Sequence, residues 1–214
     1  MKLNRKKLFK FKIYKLYIMF RNICLIGLPH SGKTIIGKKL YKHLHKGFVD
    51  TDDIIRSKYK TDLYTIISKY GRSKFLEIEQ DIITSLKFDN MVISTGGSVI
   101  YEPESMKHLK EDLDSEVYHL FLSKKEFLSR TSDLTRRGVI IEQGQSKLDL
   151  YNERIPLYDK YSDKTISACR DINLDLFRGE TFVPLKSDKV DWGTDNYYWN
   201  PKSPILMRPI DRIH

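Results

Sequence analysis

Cysteine is nearly absent. Cys24 and Cys169 are the only two in 214 residues, which excludes a disulfide-stapled scaffold. With Cys24 inside an apolar run, it points to a reduced, intracellular protein. No stretch approaches the ~18 consecutive apolar residues that cross a bilayer, so no integral membrane segment is expected. Acidic residues are missing altogether before Asp50. The first 49 residues hold 13 of the 38 lysines and arginines, and the other 165 residues balance 25 basic against 28 acidic side chains. The net charge of +10 is therefore an N-terminal property. A basic face spread over the whole domain, and with it a nucleic-acid role, is not expected. The six histidines propose no metal site: His43 and His45 are two apart on a predicted helix and face different ways.

Residues 1–18, MKLNRKKLFKFKIYKLYI, alternate Lys and Arg with Leu, Phe, Ile and Tyr. Three readings stand. The segment is a targeting sequence, since it is basic and free of acids; or it lies on an anionic membrane surface; or the true start is Met19, just ahead of the first strand. The first of these would place the protein in an organelle rather than the cytoplasm. At the other end, residues 170–214 hold Pro184, Pro201, Pro204 and Pro209 with Trp192, Tyr197, Tyr198 and Trp199. The aromatics argue against full disorder, and the tail has no readable fold. The expected organisation is a basic extension over 1–20, one domain over 21–169 and an irregular tail over 170–214.

What the domain does contain is Gly27-Leu28-Pro29-His30-Ser31-Gly32-Lys33-Thr34, a match to G-x-x-x-x-G-K-[ST]. An apolar run, Ile23 to Ile26, precedes it, and helical spacing follows from Ile35 to Leu44. Strand, glycine loop and helix form the context that makes the motif a phosphate cradle. Backbone N–H groups from Gly27 to Ile35, His30 included at a tolerant position, and the helix N-terminus favour phosphate oxygens. Lys33 reaches the β- and γ-phosphates, and Thr34 offers its hydroxyl to Mg²⁺.

Further strands are expected at Phe48–Asp50, Met91–Ser94, Val117–Leu122 and Thr165–Ser167. Helices are expected from Asp53 through Tyr59, over 62–69, over Ser73–Leu86, over Pro103–Leu109, from Lys124 to Arg130, and over Leu148–Tyr158 despite Pro156. Gly71 breaks the chain between two of them, and residues 131–146 read as a mobile loop. Strands alternating with helices imply a doubly wound, parallel α/β sheet. Ligands bind such sheets at the carboxyl ends of the strands. The glycine loop, Asp50/Asp52 and Gly96-Gly97 all fall there and should converge.

Each motif also has a plain structural use. Asp50-Thr51-Asp52-Asp53 suits a helix N-cap, and Gly96-Gly97 suits a strand-end turn. Arg130, Arg136, Arg137 and Arg154 suit solvated surface positions. Glu79 reads as a solvated residue on the outer face of its helix.

Taken together, the glycine loop, VDTDD at 49–53, STGG at 94–97, an Arg pair in the lid and ERIPLY at 153–158 resemble the shikimate kinases. The resemblance covers roughly residues 21–167 and implies a P-loop three-layer αβα sandwich with a five-stranded parallel sheet and a mobile lid. It implies transfer of a phosphoryl group from ATP to a hydroxyl of a small carboxylated acceptor, shikimate first among them. Position by position, it implies Thr34 and Asp50 at Mg²⁺, Asp52 on the acceptor hydroxyl, and Gly96 and Gly97 presenting N–H groups to the acceptor. It further implies Arg130 near adenine, Arg137 closing on the phosphates and Arg154 on the acceptor carboxylate. The expected partners are small molecules, with no nucleic acid and a monomeric state. An ATP-binding protein with a different acceptor, or a non-catalytic regulatory one, is the alternative.

The resemblance departs at three places. The family's carboxylate-gripping arginine, in an E-F-R-x-x-E context, aligns with Lys74-Phe75-Leu76-Glu77-Ile78-Glu79, so Leu76 stands where the arginine belongs. Loss of one such charge-assisted contact costs on the order of 2–4 kcal/mol, or ~30- to 1,000-fold in affinity. Lys74, from a neighbouring turn, is the only nearby replacement in that run. The third glycine of the strand-end turn is Ser98, and the lid reads Arg137-Gly138-Val139 instead of R-P-L.

Overall fold

The apolar run before the glycine loop forms β1 (Asn22–Ile26), buried along its whole length. That burial on both faces is what a central parallel strand requires. The computed structural model describes residues 21–130, 134, 138–142, 144–168, 172–177 and the backbone of 198–199. Residues 1–20, the rest of the segment 170–214, and Arg136 and Arg137 lie outside them.

The chain runs from β1 into α1 (Lys33–Leu44), β2 (Gly47–Asp50), α2 (Thr51–Tyr59) and α3 (Leu63–Ser85). It continues through β3 (Met91–Ser94), a 3₁₀ turn at Val99–Tyr101, α4 (Pro103–Lys107) and a π-turn at His108–Asp112. Then come β4 (Ser115–Phe121), α5 (Lys124–Arg130), α6 (Lys147–Tyr161) and β5 (Lys164–Ser167). The strand order is β2-β3-β1-β4-β5, all parallel, with a two-residue antiparallel strand, β6 (Tyr198–Trp199), on the β5 edge. The five-stranded parallel sheet expected from the sequence is present. Because β1 lies between β3 and β4, the glycine loop leaves the sheet at its centre, and β2 and β3 end beside it.

The break expected at Gly71 is present: α3 consists of two helical segments that meet at a kink there. Gly71 adopts φ 79°, ψ 171° inside α3, a conformation essentially confined to glycine. The first segment therefore ends at Gly71 and the second starts after it. Pro156 is carried inside α6, which starts from a Ser146/Asp149 capping box.

Buried side chains form two cores. The larger packs around the sheet and includes Leu25, Ile26, Ile93, Val117 and Leu120. The smaller lies between α2 and α3 and joins Ile55, Leu63, Ile66, Phe75, Ile78 and Ile82 to Ile140 of the lid segment.

Candidate active site

At the carboxyl ends of β1, β2 and β3 opens a pocket of about 650 Å³. Its walls come from the glycine loop (Pro29, His30, Gly32, Lys33, Thr34, Ile35), from α2 (Asp52, Arg56), from Gly96–Ser98 and from Arg154. Leu63, Phe75 and the lid residues Gly138 to Ile140 close it. Most of the residues singled out in the sequence thus meet in one cavity.

Lys33 is buried and donates from Nζ to the carbonyls of Gly27 (2.8 Å) and Leu28 (3.0 Å). Burial lowers its pKa to about 8, opposed by the charges of Asp52 and Asp50. Phosphate oxygens arriving in the loop would favour the charged form.

Asp50 serves the cap and the site at once. Oδ1 accepts from the Asp52 amide at 3.1 Å, the N-cap bond of α2. Oδ2 accepts from Thr34 Oγ1 at 2.7 Å and Ser94 Oγ at 3.0 Å. Thr34 and Asp50 thus bring a hydroxyl and a carboxylate oxygen together, a hard-oxygen donor set.

Asp52 points into the pocket, and its carboxyl is pushed up to about 6, first by burial and then by Asp50; Lys33 and Arg56 oppose this. Against it lies Gly96: a Cβ there would come 2.8 Å from Asp52 Oδ1 and 2.2 Å from Glu79 Oε1. Only glycine admits both carboxyl groups. The Gly96 N–H is donated to Thr51 Oγ1 at 3.2 Å.

Glu79 is not on the solvated face of its helix. It is 1 % exposed, beneath Gly96, and neither carboxylate oxygen has a hydrogen-bond partner among the described residues. Burial, then the charge of Asp52, raises its pKa to about 8. The Ser98 hydroxyl and Arg154 favour the charged form, though Ser98 is not in hydrogen-bonding geometry. The signal was in the sequence: Glu79 lies four residues after Phe75 and three before Ile82, inside the buried stripe of α3.

Arg154 is 1 % exposed. Nε donates to Tyr101 Oη at 3.0 Å, Nη1 to the Gly97 carbonyl at 3.1 Å and Nη2 to the Ile140 carbonyl at 2.8 Å. All three acceptors are neutral, so the cation has no carboxylate partner among the described residues. The Gly97 carbonyl also accepts from Tyr158 Oη at 2.7 Å, which fixes the glycine turn to α6.

Arg130 lies elsewhere. At the end of α5 it bonds to Glu126 (3.1 Å) and reaches the Ala168 carbonyl (3.4 Å), off the pocket wall. Leu76 packs against the smaller core. Lys74 pairs with Glu77 at 2.5 Å, with more than half of its side chain exposed.

The family model for shikimate kinase matches residues 29–176. The shikimate kinase of Thermodesulfovibrio yellowstonii is 35 % identical over 143 residues, 65 % of this chain and 82 % of that protein. The chain belongs to the shikimate kinase family. The shikimate kinase of Francisella tularensis subsp. holarctica is 33 % identical over 155 residues, 71 % of this chain and 87 % of that protein. Among solved structures, the shikimate kinase of Acinetobacter baumannii in complex with shikimate superposes with a TM-score of 0.64 at 30 % identity, covering 77 % of this chain and 92 % of that one. That of Aquifex aeolicus superposes with a TM-score of 0.60 at 24 % identity over 73 % and 91 % of the two chains, a likeness of fold. As a shikimate kinase family member the protein is a phosphotransferase with an alcohol acceptor and ATP as donor.

Proposed function

We propose that the protein phosphorylates shikimate, with ATP as donor, through the pocket bounded by the glycine loop, Asp52, the Gly96–Gly97 turn and Arg154. The observation that carries this reading is Arg154: a buried guanidinium on the pocket wall, held only by neutral oxygens. A buried charge without a counter-ion is costly, and an acidic acceptor supplies the missing anion in bidentate geometry.

The roles follow from position. The glycine loop and α1 N-terminus hold the phosphates, and Lys33 leaves its loop carbonyls for the β- and γ-oxygens. Thr34 and Asp50 would hold Mg²⁺, which supplies charge neutralisation on the transferring phosphoryl group. Gly97 offers its N–H to the acceptor. Asp52 orients the acceptor hydroxyl and takes its proton as that oxygen bonds to the γ-phosphorus and the bond to ADP breaks. Its raised pKa brings it nearer to neutrality, which suits a base. Arg137 closes over the phosphates from the lid, and Arg130 serves the adenine side. Ile140 ties lid position to Arg154 through its carbonyl, so closure and acceptor binding are coupled. The buried free thiol of Cys24, raised to about 12 by burial, fits a reducing compartment, and we place the protein in the cytoplasm.

The test is ADP release from Mg·ATP with and without shikimate, beside Lys33→Ala. Shikimate-dependent release that the variant loses is expected. ATP binding with no dependence on shikimate would overturn the acceptor and leave the family standing.

A further inference from the structure

Leu76 packs against the smaller core and adds no cation to the pocket wall, where the resemblance implies an arginine, and the structure shows which other cations line that wall. Three cationic side chains line the pocket among the described residues: Lys33, Arg154 and Arg56. Lys33 sits in the glycine loop and Arg154 is bound at three nitrogens. Lys74 faces away and is paired with Glu77. Arg72, one turn before Leu76, is off the pocket wall; it pairs with Glu142 and Glu153 and lies over the Tyr101 ring.

Arg56 differs from all of these. It follows Asp52 by four residues on α2, so both side chains project from one helix face, with Cβ atoms about 5–6 Å apart. That puts a cation one turn from the group that holds the acceptor hydroxyl. Its one hydrogen bond among the described residues goes to Asp53 Oδ1 at 2.5 Å, and both partners are largely exposed, 44 % and 59 %. An exposed i,i+3 pair of this kind is weak, so the guanidinium can turn to a ligand at little cost. Its remaining donors suit a planar carboxylate. The facing charges on the pocket wall are Asp52 and Asp62, and an acceptor hydroxyl, not its carboxylate, belongs at Asp52.

We infer that Arg56, a cation on the pocket wall held only by a weak exposed pair, binds the acceptor's carboxylate together with Arg154 and so sets specificity for an acid. The inference rests on the acidic-acceptor reading above. It makes Arg56 a specificity-determining residue for binding, with no part in the transfer step.

The test is steady-state kinetics with shikimate and with its uncharged carboxamide, for wild type, Arg56→Ala, Arg56→Lys and Lys74→Ala. Arg56→Ala is expected to raise KM for shikimate about 10- to 100-fold and to leave KM for ATP and for the carboxamide near wild type. The preference for acid over amide then shrinks by the same factor, and what is left is owed to Arg154. Arg56→Lys keeps the charge without the fork and should fall between, and Lys74→Ala should match wild type. A rise shared equally by acid and amide, or no rise, overturns the inference while wild-type turnover of shikimate upholds the acceptor. No wild-type turnover of shikimate overturns the acceptor reading and this inference with it.

Discussion

Two carboxyl groups meet at Gly96, and only one of them announces itself in the sequence. Asp52 stands in an Asp-x-Asp after a strand, where both helix capping and phosphoryl transfer call for it. Asp50 shows that the two uses are not rivals, since one carboxylate caps α2 with Oδ1 and accepts from Thr34 with Oδ2. Asp52→Asn keeps the size and loses the proton acceptor. It should lower kcat about 10²- to 10⁴-fold with little change in KM for ATP, and unaltered kcat would remove Asp52 from the base role. Glu79 was hidden because a charged letter in an amphipathic pattern reads as solvated, whereas burial here is decided by packing beneath the glycine turn. Its carboxyl binds a proton more tightly in the folded chain (about 8 against an ordinary 4.5). The folded state therefore holds the extra proton between those values, and stability falls as pH rises through that window, levelling off above it. Glu79→Gln removes this dependence. The variant should match wild type near pH 4 and exceed it by on the order of 2–5 kcal/mol above pH 8. Parallel pH–stability curves for the two proteins would show that Glu79 ionises freely in the fold.

At the level of elements, the strands and the glycine loop were readable because parallel strands buried on both faces are short apolar runs with few alternatives. Element ends were less so: β4 begins at Ser115 and α6 runs to Tyr161, since polar end residues carry no period. The kink in α3 is the instructive case. Gly71 marks the break correctly, because its positive φ with extended ψ continues neither helical segment and is a conformation that glycine alone adopts freely. At φ 79°, ψ 171°, with open space around the missing Cβ, alanine is penalised by backbone strain alone. Gly71→Ala should cost about 1–3 kcal/mol, a drop in Tm of about 2–4 °C per kcal/mol for a chain of this size. An unchanged Tm would mean that the bend is not required. After the bend Arg72 pairs with Glu142 and Glu153, and both Arg72 and Arg154 lie over the Tyr101 ring, at 4.9 and 5.1 Å from its centre. Arg72→Ala should therefore loosen the lid segment, seen as faster amide exchange over residues 138–142 with β1 and β3 unaffected. Exchange unchanged there would assign Arg72 to surface solvation.

The molecule as a whole has a large sheet core with a second, smaller core beside it. Every strand from β1 to β5 contributes to the large core, but α2 and one face of α3 close on each other through seven buried side chains, one of which, Ile140, belongs to the lid segment. A small apolar cluster yields less free energy than a sheet core, so this body opens at lower cost. Its placement puts it against the pocket, because Asp52 and Arg56 stand on α2, Phe75 on α3 and Arg154 is fixed to Ile140. On the proposed reading, an acceptor held between them bridges the smaller core to the sheet. The sequence shows the residues but not this division, since the same periodic apolar spacing serves either core and only tertiary contact says which. Ligand binding to the folded state alone adds about 2.7 kcal/mol at a hundredfold excess over Kd. That gain should appear unevenly: amide exchange in α2 and residues 63–70 should slow most when shikimate joins an ATP analogue, while β1, β3 and β4, already protected to the global limit, slow only with overall stability. Uniform slowing across both bodies would mean that the two cores open together, and that acceptor binding closes nothing.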